Sequence, residues 1–181
     1  MGYYVNTEDI NILVPKDFLE PAYKAVLAMN DYDSSLKRGG SYGPNAERKY
    51  WFSWMPEDLS KLADLQAVLL NLGFEDTEYN ERGDLVLGCY NNKSGQEDLF
   101  LEAIAPFVEE GSYAIWKGED DTFWKWEFND GKMLVIPGDR EIVWLPENAY
   151  TPTESHSQTA AMIAKLTADM KKEQAEEDAN A

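Results

Sequence analysis

Residues 112–145 read SYAIWKGEDDTFWKWEFNDGKMLVIPGDREIVWL, and this stretch leaves the chain little choice of architecture. Trp124, Trp126 and Phe128 alternate with Phe123, Lys125 and Glu127, the period of two that marks a strand with one face buried. A strand over 113–116 precedes it, with Gly118-Glu119-Asp120-Asp121 as the turn. Asn129-Asp130-Gly131 follows it, a run of residues that tolerate positive φ in tight hairpins. Strands over 133–136 and 141–145 then flank Pro137-Gly138-Asp139. Strands joined by loops this short pair antiparallel.

The rest of the chain supplies elements to cover the aromatic face. Strands are predicted over 3–5 and 10–14, joined by the polar run Asn6-Thr7-Glu8-Asp9. Phe18, Leu19, Ala22, Tyr23, Val26 and Leu27 recur on one helical face, with the helix starting near Glu20 so that Pro21 falls in its first turn. Residues 30–48 lack a pattern and read as a long loop, followed by a short aromatic strand over 50–54. Pro56-Glu57-Asp58 opens a second helix with Leu62, Leu65, Val68, Leu69 and Leu72 inward and Gly73 as its cap. A hairpin over 74–90 turns at 80–84. Ser94 and Glu97 form a capping box for a third helix, which Pro106 shortens or kinks and Gly111 ends.

The expected fold class is therefore α+β, a largely antiparallel sheet with three packing helices and an appended C-terminal helix. Residues 1–146 form one domain, 147–157 a polar linker, 158–177 a helix with a thin stripe of Met162, Ile163, Leu166 and Met170, and 178–181 a frayed tail. The single cysteine, Cys89, cannot make an internal disulfide, and the start has neither a basic region nor an apolar run, so a cytoplasmic protein is expected.

Charge narrows the function classes. The net charge is −18, and it is unevenly spread: residues 1–50 carry 6 basic and 7 acidic side chains, whereas 51–150 carry 7 and 21. Such a chain repels nucleic acid and anionic membranes at long range, but attracts a basic protein surface of the kind that normally holds nucleic acid.

Catalytic groups are sparse. His156 is the only histidine and lies in the linker, so neither a triad nor a zinc site has a scaffold. Asp31 and Asp33 begin like a calcium loop, but its glycine and glutamate places hold Leu36 and Tyr42. The glycines at 39, 40 and 43 lack the Gly-Lys-Ser/Thr ending of a phosphate loop. Carboxylates are so many that pairs arise by chance, and solvated turn acids account for them better than an acid–base pair. No catalytic residue, metal or cofactor is expected, and the chain reads as a non-enzyme.

Two binding surfaces are expected instead. Neighbouring strand positions such as Phe123 and Trp124 cannot both face inward, so Trp116, Glu119, Asp120, Asp121, Phe123 and Trp124 form a candidate protein-binding surface. Most of the set Trp116, Trp124, Trp126 and Trp144 nevertheless reads as core. The alternative is a pocket for a small phosphorylated ligand, built from Lys37, Arg38, Arg48 and Lys49 beside Trp51 and Trp54.

Several segments carry a resemblance: the opening Met1-Gly2-Tyr3-Tyr4-Val5, Leu36-Lys37-Arg38-Gly39-Gly40-Ser41-Tyr42, Trp51-Phe52-Ser53-Trp54-Met55, Ser94-Gly95-Gln96-Glu97-Asp98-Leu99-Phe100, and Trp116-Lys117-Gly118-Glu119-Asp120 with Trp124-Lys125-Trp126. Together they resemble a family of small, acidic, uncharacterised proteins of tailed bacteriophages and prophages, particularly those of actinobacteria. The resemblance covers roughly the first 145 residues and brings no active-site residues with it. It implies an accessory protein in a bacterial host's cytoplasm. The expected function is to bind a host protein, with mimicry of nucleic acid or inhibition of a defence protein as its sharpest form. The C-terminal helix would serve self-association.

Overall fold

The computed structural model describes residues 2–39, 48–138, 146–149, 165, 167–169 and 172. Its fold is α+β. A five-stranded sheet is formed by β1 (Tyr4–Asn11), β5 (Asn91–Lys93), β6 (Tyr113–Gly118), β7 (Phe123–Asn129) and β8 (Lys132–Gly138), in the order β5-β1-β6-β7-β8 with every neighbour antiparallel. A small second sheet pairs β2 (Leu13–Val14), β4 (Leu85–Val86) and β3 (Glu78–Tyr79) in the order β2-β4-β3. Three helices, α1 (Leu19–Ala28), α2 (Leu65–Leu72) and α3 (Glu97–Ile104), pack with α1 against both others and α3 against β8.

The alternation in β7 is realised as expected, with Trp126 and Phe128 buried and Trp124 half-buried on the same face. Register explains how so many rings fit. Trp126 faces Ala114 across the β6–β7 ladder, and the missing bulk lets its ring lie 4.4 Å from that of Trp116. Trp116 faces Trp124 with rings stacked at 6.0 Å, and meets Phe74 and Tyr90 on the helical side. Between β7 and β8, Asp130 (φ 52°) and Gly131 (φ 68°) both take positive φ, the two-residue hairpin that Asp-Gly favours. Residues 141–145, including Trp144, lie outside the described residues, as does most of the expected linker and C-terminal helix. Lys165, Thr167, Ala168, Asp169 and Lys172 are helical.

Three expected elements differ. The first predicted strand (3–5) and the start of the second (10–14) join in one continuous strand, β1, because Glu8 is absorbed as a bulge between the pairs Thr7↔Trp116 and Asp9↔Ile115, while Leu13–Val14 leaves for the small sheet as β2. The aromatic strand over 50–54 reduces to a single bridge between Tyr50 and Gly39, after which the chain turns with the Met55 N–H donating to Phe52 O. The second helix begins later than Pro56. Asp58 caps only one 3-10 turn, Leu59–Lys61, whereas Asp64 accepts the Ala67 N–H at 2.8 Å and starts α2, whose residues Leu65, Val68, Leu69 and Leu72 are buried. Gly73 ends α2 at φ 123° as expected.

α3 stops at Ile104, and Ala105–Phe107 tightens into a 3-10 turn around Pro106. The hairpin over 74–90 is held at its tip by Asn80, whose Oδ1 accepts the N–H groups of Arg82 and Asp84. Asp84 in turn accepts the Lys16 N–H and pairs with Arg82, which ties the small sheet to the start of α1.

Candidate functional site

The acidic turn between β6 and β7 is an ordered structure. Asp120 accepts the hydroxyl of Tyr3 and, through Oδ1 at 3.1 Å, the N–H of Thr122. These donors, the Tyr3 hydroxyl first, hold its carboxyl below the usual carboxylate range. Asp121 takes φ 60°, a conformation that Asp tolerates, and its carboxylate lies 3.2 Å from Lys117 Nζ. That ammonium also sits 5.6 Å from the centre of the Phe123 ring. Glu119, Asp120 and Asp121 are exposed, while Phe123 and Trp124 are half-buried. Trp116 is fully buried at 0% exposure and cannot belong to the surface predicted for it, because β6 turns it onto the face that packs against Phe74 and Tyr90.

The basic segment is split by the fold. Lys37 is buried, donating from Nζ to Asn30 O at 2.9 Å and lying 5.7 Å from the centre of the Trp51 ring. Arg48 is exposed and donates from Nη1 to Ser35 O. Lys49 is half-buried. Trp51 is 1% exposed, edge-on to Tyr32 and Phe100, so it is core rather than an open stacking platform. Lys37 and Arg48 thus serve the local backbone, and Lys37 and Trp51 depart from their predicted roles as open ligand contacts. The cause is one core ring, Trp51, which draws the Lys37 stem down onto it.

Arg38 and Trp54 remain, and they meet residues that the sequence did not point to. A cleft of about 480 Å³ is lined by Arg38, Gly39 and residues 51–54 on one side and by Gly2 and residues 93–96 on the other. Arg38 and Lys93 bring two cations to it, and no acid stands among its described lining residues. Two glycines allow the walls to close: a Cβ on Gly39 would lie 2.5 Å from the Phe52 backbone, and one on Gly95 would lie 2.3 Å from the Phe52 ring. Phe52 backs Trp54 at 4.9 Å between ring centres, and the Trp54 Nε1–H donates to Asn71 O at 3.0 Å. The Trp54 ring is held in place, yet 42% of that residue is exposed.

Glu97 fixes the far wall. Its Oε1 accepts the Ser94 hydroxyl at 2.9 Å and its Oε2 accepts the Gly95 N–H at 2.6 Å. The expected capping box is not formed: α3 begins at Glu97 itself with Gln96 at its N-cap and no side-chain cap, because the Ser94 N–H is taken by Tyr3 O and its hydroxyl by the Glu97 carboxylate. Burial lifts its pKa to about 7 against these donors, and the neighbouring charge of Asp98 adds to the rise. Lys93 and Gln96 were missed because β5 is only three residues long and carries no periodic signal. Their one trace in the sequence is adjacency to the Ser94–Glu97 pair.

Among the described residues no group of three His, Cys, Asp or Glu is placed to hold a metal ion, and no helix is long and apolar enough to cross a membrane. Cys89 is exposed and unpaired. No family model, curated protein or solved structure matches the chain.

Proposed function

We propose that the protein is a non-enzymatic binding protein, an acidic accessory factor of phage type. It would engage a basic surface on a host protein that normally holds nucleic acid. The observation that carries this reading is the turn at Glu119, Asp120 and Asp121: three exposed acids on a hairpin fixed through Tyr3, Thr122 and Lys117. An anionic group already held in place loses little side-chain freedom on binding, so more of its attraction is left for the partner. The half-buried Phe123 beside it, on the face of β7 opposite to the core-packed Trp124, supplies apolar contact area.

The test is a pull-down from lysate of a bacterial host at low and high salt, comparing the native protein with a Glu119→Lys, Asp121→Asn double variant. Asp120 is kept because it holds Tyr3, and Asn is chosen at 121 because it tolerates the positive φ. The expected result is a nucleic-acid-binding protein that is retained by the native chain at low salt, displaced by added DNA and lost from the variant. Equal retention by the variant overturns the assignment to this turn.

A further inference from the structure

We infer that the cleft between Trp54 and Lys93 binds a small phosphorylated ligand carrying a flat ring, of the mononucleotide class. This site is separate from the acidic turn and does not depend on what that turn binds.

In a chain with 34 acids and 16 bases, the cleft gathers two cations and no acid among its described lining residues. Arg38 and Lys93 come from segments far apart in sequence, so the fold and not local composition pairs them. A guanidinium and an ammonium match a phosphate dianion in charge, the first by its fork of donors and the second as a point charge. An ordinary anion such as chloride would need only one of them.

The exposed ring of Trp54 adds the second half of the recognition. One neighbour, Phe52, backs it, and the hydrogen bond to Asn71 O fixes its tilt, so its exposed part is a preformed stacking surface. Stacking of a base on an aromatic side chain contributes about 1–3 kcal/mol and tolerates any base. The volume of about 480 Å³ falls within the range of small-molecule sites. Gln96, a buried polar residue in the wall that carries Lys93, and Ser53 add hydrogen-bonding groups for a sugar or ring edge. Trp51, whose buried indole N–H has no acceptor among the described residues, stands in the opposite wall. Nucleic acid as a polymer is disfavoured, because each further phosphate would face a molecule of net charge −18.

The experiment measures melting temperature and direct binding with AMP, GMP, CMP, UMP, adenosine and inorganic phosphate. At least one mononucleotide is expected to raise the melting temperature at about 1 mM, with adenosine and phosphate each doing less. An Arg38→Ala, Lys93→Ala double variant should lose about tenfold or more in affinity, a deficit of about 1.4 kcal/mol. Trp54→Ala should weaken mononucleotide binding and leave phosphate binding unchanged. All three residues are exposed, so the variants are expected to fold, and circular dichroism checks this. The inference is overturned if no mononucleotide shifts the melting temperature, if the folded double variant binds as well as the native chain, or if a single-stranded oligonucleotide binds more tightly than any mononucleotide.

Discussion

The Glu97 carboxylate accepts two hydrogen bonds that favour its charged form, yet burial outweighs them and its pKa rises from 4.5 to about 7. A carboxyl whose pKa is raised on folding binds its proton more tightly in the native state, so its effect on stability runs opposite to that of a salt-bridged acid. The favourable term is fully present below pH 4.5, declines as pH rises, and is gone above about pH 7. A rise of this size corresponds to about 3 kcal/mol. The melting temperature should therefore be higher at pH 5 than at pH 8. Glu97→Gln, whose amide oxygen can accept the Gly95 N–H while its NH2 donates to the Ser94 hydroxyl oxygen, does not titrate and should flatten that slope. An unchanged slope would place the pH dependence in repulsion among the surface acids instead. On the acid side the signs reverse: Asp33, Asp58, Asp84, Asp120 and Glu127 all have lowered pKa values, so their contributions persist at pH 5 and vanish only as pH falls through those values.

Among the elements, α2 shows how two similar signals compete. Asp58 and Asp64 both accept backbone N–H groups at a helical start, but only Asp64 leads into a run whose apolar residues share a face. Asp64→Ala should cost about 1 kcal/mol in chemical denaturation, the usual loss of an N-cap, while Asp58→Ala should cost less because a single 3-10 turn follows it. Equal losses would mean that the Leu59–Lys61 turn matters as much to stability as α2. The β6–β7–β8 meander was legible because alternation and turn chemistry agree at Trp124–Phe128 and Asp130-Gly131. Where the signals were ambiguous, tertiary context decided. Tyr50, Trp51 and Phe52 have strand propensity, but Trp51 is needed edge-on between Tyr32 and Phe100, and the chain turns to place it there. The bulge at Glu8 left no mark, since one extra polar residue in a strand looks like a polar connection. The cleft was half legible: Arg38 and Trp54 stand close to other cations and aromatics in sequence, whereas Lys93 reaches them only through the pairing of β5 with β1.

At the scale of the whole molecule, the dominant fact is a net charge of −18 on a chain of 181 residues. Self-repulsion of that size opposes compaction and is screened by salt. Raising sodium chloride from about 20 to about 300 mM should raise the melting temperature at pH 7 by a few degrees. A constant melting temperature would show that local pairs such as Lys117–Asp121 and Arg82–Asp84 already offset the repulsion, since screening weakens such exposed contacts in return.

The position of β1 inside the sheet sets the order in which the molecule can be made. β1 sits between β5 and β6, both of which are translated long after it: Val5 pairs with Asn92 and with Gly118. At about 5–20 residues per second, β1 waits for several seconds, up to about 20, before either ladder can form. Its apolar positions, Val5 and Ile10, stay uncovered during that interval, and the long sequence separation of the pairing predisposes the domain to slow closure. A message that pauses before codon 91 would thus prolong the time for which β1 has neither partner, and one that pauses between codons 93 and 113 would leave it only its short β5 ladder.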